Sequence, residues 1–200
     1  MTSYYYSSIS KFLQTTSNEI IGILAKSQSQ DVHLTVEIAQ MRSWMNEVKL
    51  LKETLSTIAL EPTAGIILEY FIPRRAKRID TVILTHNIIF VLEFKNNAFV
   101  EMATSYKQND LHQYEDSALE LRDFHKESRE RVILPILIYT SAKVIPFKPS
   151  LDQVKNIIAV NNKNSLIEEI NRCIAVYGST HDIDLSKWES SALRTYTNNY

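Results

Sequence analysis

The chain has 200 residues, with 22 Lys and Arg against 23 Asp and Glu, a formal net charge of −1 and 44% hydrophobic residues. That length can bury a sizeable core, as one domain or a domain with a small helical addition. A net charge so close to zero excludes global steering toward a polyanion, so any nucleic-acid contact must come from a local patch.

A single cysteine, Cys173, excludes an internal disulfide and a cysteine-rich zinc site, and fits a reducing, cytoplasmic setting. Its neighbours Ile170 and Ile174 make it a small core residue rather than a nucleophile. No apolar run approaches the roughly 18 residues of a membrane span. The start, MTSYYYSSISKF, lacks the basic-then-apolar order of a secretory signal.

In chain order, residues 1–32 read as an N-terminal helical segment. Glu19, Ile20, Ile21, Ile23 and Leu24 follow Ser17 or Asn18 as N-cap, and Tyr4, Tyr5 and Tyr6 read as packing or a tail. Residues 34–59 carry the longest helical signal. Ile38, Met41, Trp44, Met45, Val48, Leu51, Leu55 and Ile58 recur every three or four positions, as a helix packed on a sheet requires. Glu47 and Glu53 on that helix can face solvent, and Glu47 can instead approach a site. Glu61-Pro62-Thr63-Ala64-Gly65 ends it.

A strand over 66–72 follows, with Ile67, Glu69 and Phe71 on one face. The basic turn Pro73-Arg74-Arg75-Ala76-Lys77-Arg78 leads into RIDTVILTHNIIFVLEFK, which predicts two antiparallel strands around a His86-Asn87 turn. Period-two alternation places Glu93 and Lys95 with Ile89 and Val91, and Asp80 with Val82 and Leu84. Ile88, Phe90, Leu92 and Phe94 take the opposite face. Carboxylates in strands this apolar are costly to bury without a partner or a metal. A solvated face is the plainer alternative, and a solvated hairpin tip accounts as well as phosphate contact for Arg74, Arg75, Lys77 and Arg78.

Residues 96–109 are polar and irregular. A helix from Asp110 to about Lys126 carries Gln113 and Tyr114 in its first half, and Val132–Tyr139 reads as a central strand. Pro146 and Pro149 mark a loop, Asn156–Val160 an edge strand, and Ser165–Tyr177 a helix whose capping box is Ser165 with Glu168. Residues 178–200, polar around an isolated Trp188, read as a linker. The predicted layout is an N-terminal segment (1–32), a central domain (33–177) and this linker. The fold class is α/β: a central mixed sheet of four to five strands flanked by helices.

Asp80 and Glu93 are hard oxygen ligands, suited to Mg2+ or Mn2+. Lys95 beside Glu93 can position a water and offset negative charge. The histidines at 33, 86, 112, 125 and 181 lack HxH or HxxxH spacing and read as surface or capping residues.

Asp80 followed by Glu93-Phe94-Lys95, in the order helix, three strands, helix, strand, resembles the PD-(D/E)XK phosphodiesterase superfamily. The longer strings LEYFIPRRAKRIDTVI, IFVLEFK and the Gln113 helix ending ELRDFH look like the N-terminal nuclease-like domain of bacterial Schlafen-type DNA/RNA helicase proteins. KWESSALRTY is similar to the connector toward their helicase/ATPase portion, and the chain has no phosphate-binding loop of its own.

The resemblance implies a restriction-endonuclease-like fold and an Mg2+- or Mn2+-dependent nuclease acting on DNA or RNA, with DNA favoured, in antiphage defence or repair. It implies Asp80 and Glu93 as metal ligands, Lys95 as catalytic lysine, and Glu69 and Gln113 in support. Glu47 corresponds to a further carboxylate. The family helix usually has a tyrosine four residues after the glutamine, where this chain has Ser117, with Tyr114 nearby. The alternatives are a nucleic-acid-binding module of the same fold that has lost catalysis, and a structural domain in which the charged residues form a buried ion cluster.

Overall fold

The hairpin at the centre of the chain forms as its alternation predicts. β3 (Lys77–Thr85) and β4 (Ile88–Lys95) pair antiparallel, and His86 and Asn87 both have positive φ, 49° and 62°, as a primed two-residue turn requires. Ile89, Val91, Val82 and Leu84 lie in one apolar cluster, whereas Ile88, Phe90, Leu92 and Phe94 lie in the other.

The computed structural model describes residues 2–32, 36–73, 76–95, 108–139, 158–160 and 162–191, with side chains 32, 108–115, 139 and 158–160 left out. Around the hairpin it builds a mixed sheet of six strands among the described residues, in the order β1 to β6. β1 (Tyr5–Ser8), β2 (Gly65–Ile72), β3 and β4 run antiparallel to one another in turn; β4, β5 (Val132–Tyr139) and β6 (Ile158–Val160) are parallel. α4 (Gln108–Phe124) stands between β4 and β5 in sequence, as a parallel crossover needs.

α1 (Ile9–Gln14), α2 (Ser17–Val32), α3 (Ile38–Leu55) and α5 (Lys163–Tyr177) cover one face, burying Phe12, Leu24, Trp44, Leu51 and Ile170 with Phe90 and Leu92. α4 and α6 (Leu185–Ser190) cover the other, where Leu121 and Trp188 meet Tyr70 and Val91. Among the described residues no helix is long and apolar enough to cross a membrane.

Four expectations need correction. Tyr4 and Tyr5 pack in the core rather than forming a tail, but Tyr5–Ser8, inside the segment expected to be helical, is an edge strand: it is short and polar enough to hide its period, and Tyr4 N–H donates to Leu68 O at 3.2 Å while the pairing continues through Ser8 with Gly65. The stretch after Gly178 is not simply a linker, because Ile183 and Trp188 are buried and α6 presses on β2. A Cβ at Gly65 would come within 2.7 Å of Leu185 Cδ1. His125 is fully buried rather than on the surface. The box that caps α5 is Asn162 with Ser165, three residues earlier than expected: the Asn162 side chain accepts from Ser165 N–H while Ser165 Oγ accepts from Asn162 N–H.

Candidate metal centre

β2, β3 and β4 carry their carboxylates to the same level of the sheet. Leu68 pairs with Thr81 and Tyr70 with Ile79, so Glu69 stands opposite Asp80. The β3–β4 ladder ends at the Thr81–Leu92 pair; Asp80 and Glu93 are the next residue on either strand, and their charges act on each other. Glu69, Asp80 and Glu93 therefore form a row across three adjacent strands.

The row marks a place where the pleat turns over. Ile67, Tyr70 and Ile72 share one cluster, although period two would put Tyr70 with Leu68 on the other face. On β3 the same reversal separates Ile79 from Val82, both of which lie in that cluster. The local cause on β2 is Glu69, whose φ of 55° lies in the left-handed region, at a cost of about 1–2 kcal/mol for a non-glycine residue. The expected grouping of Glu69 with Ile67 and Phe71 is thereby corrected. Its carboxylate goes instead to α3, where Trp44 Nε1–H donates to Glu69 Oε1 at 2.7 Å.

Each remaining member of the cluster has a defined partner. Asp80 Oδ2 accepts from Phe94 N–H at 2.7 Å, so the side chain takes a backbone bond at the end of the β3–β4 ladder. Lys95 Nζ lies 3.2 Å from Glu93 Oε1, and both side chains are partly exposed. On α3, one turn after Trp44, Glu47 Oε1 accepts from Ser43 Oγ at 2.6 Å.

The electrostatics show how closely these acids crowd. Burial pushes the Glu47 carboxyl up to about 7; the Ser43 bond opposes this and the charges of Glu69 and Glu93 add to it. Glu69 is raised by burial, against the Trp44 bond and the Arg78 charge, with Glu93 adding. Asp80 is raised well above the ordinary carboxylate range. Burial is the largest cause, followed by the charges of Glu93 and Glu47; the Phe94 N–H opposes them and Glu69 adds. Burial together with the repulsion among these acids forms an environment that a cation would relieve.

The structure thus brings Asp80, Glu93, Lys95, Glu69 and Glu47 together. Gln113 and Tyr114 fall in the first half of α4, and their side chains lie outside the described residues, as do Arg74 and Arg75 entirely. Lys77 is exposed at the start of β3. Arg78 departs from the expected phosphate contact. Its guanidinium donates to Glu69 O at 2.5 Å and to Asp31 Oδ2 at 2.6 Å, and stacks 3.8 Å from the Tyr4 ring centroid. The residue that sequence reasoning passed over is Trp44, taken there as core alone. The signal was available, because a buried indole N–H needs an acceptor.

Among the described residues, no group of three or more His, Cys, Asp or Glu side chains is arranged as a ready metal cage. Mg2+ retains several waters and needs only one or two protein carboxylates, so Asp80 and Glu93 fit such an ion by number and by their hard oxygen donors. In comparisons with protein-family models, curated proteins and solved structures, nothing matches the chain.

Proposed function

We propose that the Glu69–Asp80–Glu93 row with Lys95 is the active site of a metal-dependent nuclease, on a restriction-endonuclease-like version of the α/β fold. The observation that carries this reading is the end of the β3–β4 ladder, where Asp80 and Glu93 follow the Thr81–Leu92 pair, with Lys95 on Glu93 and the charges of Glu47 and Glu69 also acting on Asp80. Asp80 and Glu93 would hold Mg2+ or Mn2+, which when bound supplies charge neutralisation at a phosphate and a more acidic water. The Phe94 N–H keeps Asp80 oriented. Lys95 Nζ, on its partly exposed stem, can donate a hydrogen bond to a water or to a phosphate oxygen as negative charge grows. Lys77, with Arg74 and Arg75, would supply local positive charge for contact with a phosphate backbone.

The substrate class is DNA or RNA, with DNA favoured, and the resemblance to Schlafen-type proteins suggests a helicase/ATPase partner and a role in antiphage defence. The test is incubation with plasmid and with single-stranded DNA and RNA in Mg2+ or Mn2+. Cleavage is expected, with Glu93→Ala and Lys95→Ala each losing about 100-fold or more; full activity in either variant rejects the assignment. A second reading, a nucleic-acid-binding module without catalysis, is favoured by the Lys95–Glu93 ion pair, which already gives Glu93 a cation. It predicts binding without cleavage in the same assay.

A further inference from the structure

We propose that Glu69 is a metal-site residue set in place by a clamp of Trp44 and Arg78, and that Asp31 on α2 sets that clamp, tying the N-terminal segment to the site's affinity for a divalent cation. The proposal rests on the reading of the acidic row as a cation site.

Left-handed backbone in the middle of a strand is costly for glutamate, and such strain persists only where the surroundings over-determine it. Among the described residues the other non-glycine positions with positive φ, Ala76, His86 and Asn87, lie at turns, where that conformation is ordinary. Glu69 is held at both ends. Trp44 Nε1–H fixes its carboxylate at 2.7 Å, leaving Oε2 as the oxygen not engaged by that bond. Arg78 NH1 fixes its carbonyl at 2.5 Å, taking the acceptor that the left-handed turn rotates out of the ladder.

Arg78 is itself oriented from the N-terminal segment. Its other arm meets Asp31 Oδ2 at 2.6 Å; Tyr4 OH donates to the same oxygen at 3.2 Å, while the guanidinium lies over the Tyr4 and Phe71 rings at 3.8 and 5.0 Å. The path from α2 to the acidic row is therefore Asp31, Arg78, the Glu69 backbone, the Glu69 carboxylate. Trp44 and Arg78 act through Glu69, so they are positioning residues rather than catalytic ones. Partners of this kind hold a ligand in its binding orientation, and their loss typically weakens metal affinity about 10- to 100-fold.

The test is calorimetric titration of the full chain with Mn2+ alone, with the melting temperature of each metal-free variant recorded alongside. Trp44→Phe keeps a ring and deletes the N–H; its Kd for Mn2+ should rise about 10- to 100-fold. Asp31→Asn, a partly exposed change remote from the carboxylates, should raise it about 5-fold or more. In a Glu69→Gln background, Trp44→Phe should add nothing, because both changes interrupt the same path. Trp44→Phe and Asp31→Asn binding Mn2+ as tightly as the unmodified chain would overturn the clamp while leaving the metal site intact. So would a Trp44→Phe penalty undiminished in the Glu69→Gln background. An unmodified chain that binds no Mn2+ overturns the cation-site reading and the clamp together.

Discussion

Acidification should weaken this fold through one imidazole. His125 follows α4 and is fully buried. Its Nε2 lies 3.0 Å from Trp188 O, a carbonyl that can only accept, which assigns the ring proton to Nε2. Nδ1 then accepts from Ser128 Oγ at 2.7 Å, and that hydroxyl oxygen in turn accepts from Trp188 Nε1–H at 3.0 Å. A second ring proton on Nδ1 would point a donor at an oxygen already receiving one.

Burial is the main reason that the imidazole is held down to about 4 from its ordinary 6.5, against the Trp188 carbonyl, the Glu127 charge and a Ser191 backbone bond. At about 1.4 kcal/mol per pH unit, this depression is worth about 3 kcal/mol. The unfolded chain takes up the proton first. The contribution is therefore whole above about pH 6.5, shrinks as pH falls from 6.5 to 4, and changes no further below that.

Urea midpoints of the unmodified chain and of His125→Gln, measured from pH 7.5 to 4 at constant ionic strength, isolate the effect as the difference between the two curves. The variant should be less stable at pH 7.5, and the gap should close by about 3 kcal/mol at pH 4. A gap that stays level across that range refutes the neutral, bonded imidazole.

Three further outcomes follow from local contacts. Lys52→Met removes an ammonium that donates to the carbonyls of Phe12, Leu13 and Thr15 at 2.6, 3.1 and 2.5 Å; urea denaturation should show a loss of about 1–3 kcal/mol. Trp188→Ala removes a fully buried indole from the second cluster together with its N–H bond to Ser128 Oγ, and the same assay should show about 3–5 kcal/mol. Asn87→Gly suits a φ of 62° but deletes the Arg131 bond, whereas Asn87→Ala loses both; the alanine variant should melt lower than the glycine variant, by about 1 kcal/mol in stability.

The central hairpin was readable in the amino-acid order because a two-residue turn and strict alternation leave few registers, and a slip of one residue would bury every wrong side chain. Glu93 and Lys95 follow from that alternation along β4, whereas Asp80 lies where the β3 pleat reverses, so its expected grouping with Val82 and Leu84 does not follow from it. Glu69 did not, since alternation assumes a regular pleat, and nothing in LEYFI announces a left-handed residue that reverses it. Trp188 was invisible for another reason: a lone aromatic among polar residues has no period, and its place is given by residues far away in sequence, Ser128, His125 and Tyr70 among them. β1 escaped because four residues are too few to show alternation and its partner lies beyond α3.

The strand β1 also bears on the order in which the chain assembles. Tyr5 pairs with Leu68, and Ser3 Oγ donates to Glu189 Oε1 at 2.7 Å across 186 residues, while β2, β3 and β4 pair through short connections. Loop closure favours the local pairings first. The residues of β1 must then wait, unpaired, for strands that follow much later in the chain, and the Ser3–Glu189 contact closes near the end of folding. In pulsed hydrogen exchange during refolding, the amide of Phe90 should therefore be protected before that of Tyr4.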